Sequence, residues 1–129
     1  MAELSADIVR RLAELRALFV AGLPDRVATI VSAAAPLTPA LGADGSRETA
    51  DRLRRVAHQL AGTAGTFGFD APGEIARGIE VACSVLVDDA APLSAAQCDD
   101  VAQRVRALEA ASAEAIEHYA ATRAAGDAA

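Results

Sequence analysis

Aromatic residues are almost missing from this sequence: they make up 3% of its 129 residues, with one tyrosine and no tryptophan. A sheet would want more aromatic and β-branched side chains, so their scarcity argues against a β architecture. Cysteine is scarce as well. Cys83 and Cys98 are the only two, no metal-type spacing relates them, and both fall in partly apolar surroundings where they read as small buried thiols. Positive charge is also in deficit. A net charge of −6 excludes an extended nucleic-acid surface, which needs clustered cations, and the pair Arg10 and Arg11 reads as a solvated helix face. No uninterrupted apolar run approaches the roughly 18 residues of a membrane span, and no signal peptide is evident. The expectation is a soluble, cytoplasmic chain without nucleic-acid or membrane partners.

What the sequence has in quantity is alanine, which dominates a hydrophobic fraction of 53%. Alanine favours closely packed helices, and the length suits one domain with one core. Ser5 is placed to cap a first helix with Ile8, Leu12, Leu15 and Phe19 in a stripe. Gly22-Leu23-Pro24 punctuates that pattern, so a second helix is expected from Pro24, presenting Val27, Ile30 and Val31, the two running nearly end to end. Pro36 to Gly45 reads as the longest loop, and Ser46 as the cap of a helix over 46–67 that Gly68 helps to end. A helix opened by Asp70 or Ala71 and Pro72 carries Ile75, Ile79, Ala82 and Leu86. After a turn over Asp88 to Pro92, Ser94 and Gln97 have capping-box spacing ahead of Val101, Val105, Leu108, Ala115 and Tyr119. The pattern predicts an all-α antiparallel four-helix bundle, up-down-up-down, with an extra N-terminal helical segment. The bundle domain is expected over 1–124, with 125–129 as a frayed tail or linker.

One stretch breaks the economy of the rest. Arg54-Arg55-Val56-Ala57-His58-Gln59-Leu60-Ala61-Gly62-Thr63-Ala64-Gly65-Thr66-Phe67-Gly68-Phe69 places three glycines after a histidine, and a glycine within a helix costs about 1 kcal/mol relative to alanine. Leu53, Val56, Leu60, Ala64 and Phe67 define the inward stripe. His58 then points to solvent, with Arg54 and Gly62 one turn to either side and Gly65 two turns on. An exposed imidazole on a helix shaved to hydrogen atoms suits a nucleophile that another macromolecule must approach. His118, the other histidine, reads as a solvated surface residue, and no set of converging metal ligands is evident.

His58, Leu60, Gly62, Gly65 and Gly68, with the ending Thr66-Phe67-Gly68-Phe69, resemble the histidine-containing phosphotransfer (HPt) family, and the ending looks most like its chemotaxis-kinase members. The resemblance implies that His58 accepts a phosphoryl group from a histidine kinase catalytic domain or a receiver aspartate. It then passes the group to a response-regulator receiver domain, with no catalytic cycle or cofactor of its own and Mg²⁺ supplied by the receiver. Ala61 stands where the family carries a lysine that neutralises the phosphoryl group. By spacing, Arg54 and Arg55 are the substitutes for that charge. Gln59, Gly62 and Gly65 complete the expected phosphoryl-stabilising or docking set. Thr63 and Thr66 are expected to bond the backbone, and Phe67 and Phe69 to anchor the helix end. Two readings stay open: a phosphorelay intermediate, and a docking or dimerisation module that binds receivers without transfer. The length fits either a free-standing protein or a domain of a larger kinase. No exposed apolar seam is evident, and a monomer is expected.

Overall fold

The computed structural model describes residues 5–89 and 91–128, and the parts of the expected turn and termini at 90, 1–4 and 129 lie outside them. Four helices, α1 (Ala6–Ala34), α2 (Ala43–Thr66), α3 (Asp70–Asp88) and α4 (Ala95–Ala128), account for almost all of this, with a short 3-10 turn at Pro39–Leu41. Each packs on two neighbours, α1 on α2, α2 on α3, α3 on α4 and α4 back on α1. Short connections between successive helices make them antiparallel, and the result is the expected four-helix bundle. Its core runs through Leu23, Ile30, Leu53, Leu60, Ile79 and Leu108, all essentially without solvent contact.

The expected break at Gly22-Leu23-Pro24 does not divide the first helix. Pro24 sits inside α1, where it cannot donate to the carbonyl of Val20, but Val20, Leu23 and Val27 are all buried and hold both halves against the core. The extra N-terminal segment is therefore the outer half of α1. By length and composition α1 could cross a membrane, with a window of mean hydropathy 1.4, yet it contributes Phe19, Val20, Leu23, Val27 and Ile30 to the bundle core.

Ser46 is not a cap. Helix α2 begins three residues earlier, entered through Gly42 at a φ of +86° that side chains rarely adopt, and Ser46 lies within it, buried and with its hydroxyl unpaired. Gly45 lets Leu41 fold over that first turn, because a Cβ there would stand 2.9 Å from Leu41 Cγ. The other end of α2 follows expectation. Gly68 takes a φ of +79°, its N–H bonds Gly65 O at 3.2 Å, and Phe69 N–H bonds Ala64 O at 2.9 Å, the paired bonds of a Schellman cap. Ser94 and Gln97 cap α4 reciprocally, with bonds of 2.8 and 3.1 Å. The helix then runs on to Ala128 where a tail was expected, since alanine flanking Gly126 continues a helix readily.

All four aromatic residues gather at the α2–α3 turn. Phe19 stacks on Phe67 at 5.4 Å and meets Phe69 at 5.3 Å, Tyr119 follows at 6.2 Å, and Arg16 lies over Phe69. The turn after the glycine-rich stretch is thereby nailed to α1 and α4, which fixes the helix that carries His58.

Candidate functional site

His58 stands midway along α2, opposite the buried line of Leu53, Ala57, Leu60 and Ala64, and keeps 70% of its side chain exposed. It is not free to turn. Glu80, reaching across from α3, places its carboxylate on His58 Nδ1, and its own side chain is only 18% exposed. With Nδ1–H donating to that carboxylate, the ring proton is fixed on the inner nitrogen and the Nε2 lone pair faces outward. Glu80 escaped the sequence reading because it lies 22 positions from His58, and only the packing of α3 against α2 brings the two together.

Around the ring the helix surface is bare. A Cβ added at Gly62 or Gly65 would meet nothing within 4 Å, so no contact inside the fold requires either glycine. Gly73 on α3 is a different case: a Cβ there would touch the α2 seam at ordinary contact distance, 3.4 Å from Ala64 Cβ and 3.5 Å from Gly65 N, so it faces a neighbour and anything larger than a methyl would crowd it. Ala61 belongs to that seam. It is buried, 4% exposed, and so does not share the outward face with His58 on which it was expected to act. Gln59 is exposed beside His58, and its carbonyl accepts from Thr63 Oγ1 at 2.9 Å, while Thr66 Oγ1 bonds Gly62 O at 2.9 Å.

Arg54 and Arg55 share one carboxylate. Arg54 Nη2 lies 2.6 Å from Asp51 Oδ1 and Arg55 Nη2 lies 3.3 Å from Asp51 Oδ2. The hydrogen bond from Arg54, joined by the charges of both arginines, holds the Asp51 carboxyl below its ordinary value despite some desolvation. The same bond raises Arg54, with Glu80 among the charges that favour its cation. A line of alternating charge, Asp51, Arg54 and Glu80, thus runs along the α2–α3 surface and ends on the His58 ring. The sequence contains no lysine, so positive charge beside the imidazole has to come from arginine. Beneath, Cys83 is buried in the core and desolvation pushes its thiol up to about 12, which leaves it inert at neutral pH. Among the described residues no group of three or more His, Cys, Asp or Glu could hold a metal ion.

The Hpt domain family model matches residues 14–125. The chain belongs to the Hpt domain family. Hpt domains are phosphocarrier modules of two-component signalling and engage response-regulator receiver domains, which accounts for a bundle whose one exposed, oriented histidine is bordered by bare helix. No curated protein and no solved structure matches the chain.

Proposed function

We propose that this Hpt domain is a cytoplasmic phosphorelay intermediate in which His58 Nε2 carries the phosphoryl group. The observation that carries the reading is the clamp of Glu80 on Nδ1 beside Gly62 and Gly65, which space inside the fold does not demand. The Nε2 lone pair attacks phosphorus of a receiver aspartyl phosphate, or of ATP bound to a kinase domain. The P–N bond forms as the P–O bond to the leaving carboxylate or ADP breaks. The ring gains positive charge as it does so, and Glu80 stabilises the Nδ1–H that bears it. Reversal toward a second receiver aspartate restores the neutral ring. A Mg²⁺ ion held by the receiver would neutralise charge on the transferring oxygens. Arg55, the more exposed of the two arginines that share Asp51, supplies charge from this chain in the absence of a lysine at Ala61.

The docking face is the bare side of α2 extended over the exposed Val81 and Val85 of α3. The ending Thr66-Phe67-Gly68-Phe69 favours a phosphotransfer domain of the chemotaxis-kinase kind. A second reading, receiver docking without transfer, is favoured by one observation: Asp51 pairs with both nearby arginines, leaving no cation committed to His58.

Incubation with phosphorylated receivers or a kinase core, followed by intact-mass measurement, tests both. The expected result is one acid-labile phosphoryl group on the wild type and none on His58→Gln. Binding to receivers with no gain of mass from any donor would replace the relay by the docking module.

A further inference from the structure

The helices of the bundle differ in length, and the excess lies at one end. At about 1.5 Å per residue, α1 and α4 extend about 43 and 51 Å, against about 36 and 28 Å for α2 and α3. The cleft of about 930 Å³ above the α2–α3 turn shows where the excess goes: Leu12 of α1 lines one side, Tyr119 and Arg123 of α4 the other, and Phe69 the base. The first turns of α1 and the last turns of α4 thus project beyond the turn as two limbs.

The α1 limb is built as core, yet the described residues leave about half of it uncovered. The stripe that is buried at Phe19 and half-buried at Leu15 continues outward on the same face through Leu12 and Ile8, with Val9 alongside. Ile8, Val9 and Leu12 are 48%, 51% and 49% exposed, and with Leu18 they make four of the six large apolar side chains left in solvent among the described residues. An amphipathic stripe carried two turns past its own core has a face to bury elsewhere. The monomer expected from the sequence rested on the lack of such a seam, and the limb supplies one.

Two features point to a second copy of this chain as what buries it. The same surface holds both a ridge, Ile8 and Val9, and a cleft beside it lined by Leu12 and Tyr119, the self-complementary condition for a two-fold interface. The limbs also differ in charge sign. Positions 6–17 of α1 carry Arg10 and Arg11, bonded within the helix to Asp7 and Glu14, and Arg16 as the one cation in excess, while positions 114–126 of α4 carry Glu114 and Glu117 against Arg123, one anion in excess. In a two-fold pair the basic α1 limb of each copy faces the acidic α4 limb of the other. The alanines at 120, 121, 124 and 125 let the helices approach closely.

We infer that the chain forms a two-fold homodimer through these limbs, with Ile8 and Val9 of each copy seated in the other's cleft. The interface lies at the turn end of the bundle, where the cleft reaches Thr66, about two turns along α2 from His58. The inference does not depend on phosphotransfer. Sedimentation or light scattering from about 1 to about 200 µM, a span that covers weak dimers, is expected to show the mass rising from 13.1 kDa toward double that value. Ile8→Glu with Leu12→Glu is expected to stay at the monomer mass throughout, with unchanged helical circular dichroism. Val9→Glu alone gives a second, milder break at the same surface. Val81→Glu with Val85→Glu, exposed apolar positions on α3, is expected to dimerise like the wild type. A wild type that stays at 13.1 kDa at every concentration overturns the proposal, as does a dimer lost in the α3 variant and kept in the α1 variants.

Discussion

The two sides of α2 use small residues for opposite ends. Toward α3, Ala61 and Ala64 line a seam in which a Cβ added at Gly73 would already be in contact with Ala64 Cβ and Ala61 O. Toward solvent, Gly62 and Gly65 leave space that nothing in the chain fills. Small residues at a helix seam report how closely the fold packs, whereas small residues on an open face report what the fold must admit. Only the second kind costs stability without a return inside the molecule; Gly22 and Gly126 stand in the same open space on other helices, and Gly62 and Gly65 are the pair that follows His58 on α2.

Leucine at Gly65 gives the largest contrast. It fits the open space, so the thermal midpoint holds, but it displaces an incoming receiver by more than an ångström, and transfer to His58 is expected to fall about 100-fold in a phosphorylation time course. Leucine at Gly73 inverts the pattern. Overpacking the α2–α3 seam should cost about 1–3 kcal/mol in denaturant unfolding, while the folded fraction still transfers. Alanine at Gly62 or Gly65 sharpens the same comparison, since each should stabilise the helix by about 1 kcal/mol. A destabilisation instead would mean that the open face is packed after all.

The cysteines extend the contrast to reactivity. Native Cys83 should resist thiol reagents at pH 8, with half-buried Cys98 reacting first, because burial raises both thiols and Cys83 by more. In the unfolded chain Cys83 ionises near its ordinary value of 9.0, and in the folded one only near 12, so the folded state holds the extra proton between them. Stability contributed by that thiol is present below about pH 9 and falls as pH climbs from there. Unfolding melts at pH 8 and 10, for the wild type and Cys83→Ala, check the direction.

Local chemistry made much of this legible. The Gly68 cap, the Ser94 and Gln97 box and the outward turn of His58 all follow from residues within a few positions of one another. What depended on distant packing did not. Glu80 reaches His58 only because two helices lie side by side, and Ala61 turns inward because the seam lies closer to it than the apolar stripe implies. Ser46 lost its capping role when Gly42 opened the helix earlier, and Pro24 failed to divide α1 because buried neighbours outweighed one missing hydrogen bond. The charge expected beside His58 from Arg54 and Arg55 is present but shared with Asp51, a partner three and four residues away that spacing arguments passed over.

The chemistry at His58 turns on Glu80 holding Nδ1 and leaving Nε2 to react. Nitrogen-detected NMR of His58 in the phosphorylated protein tests it most directly. Phosphorus coupling is expected at Nε2 with Nδ1 protonated, and Glu80→Gln is expected to be phosphorylated about tenfold more slowly, the loss of about 1.4 kcal/mol from the transition state. Phosphorus on Nδ1, or a Glu80→Gln protein phosphorylated at the wild-type rate, would contradict it.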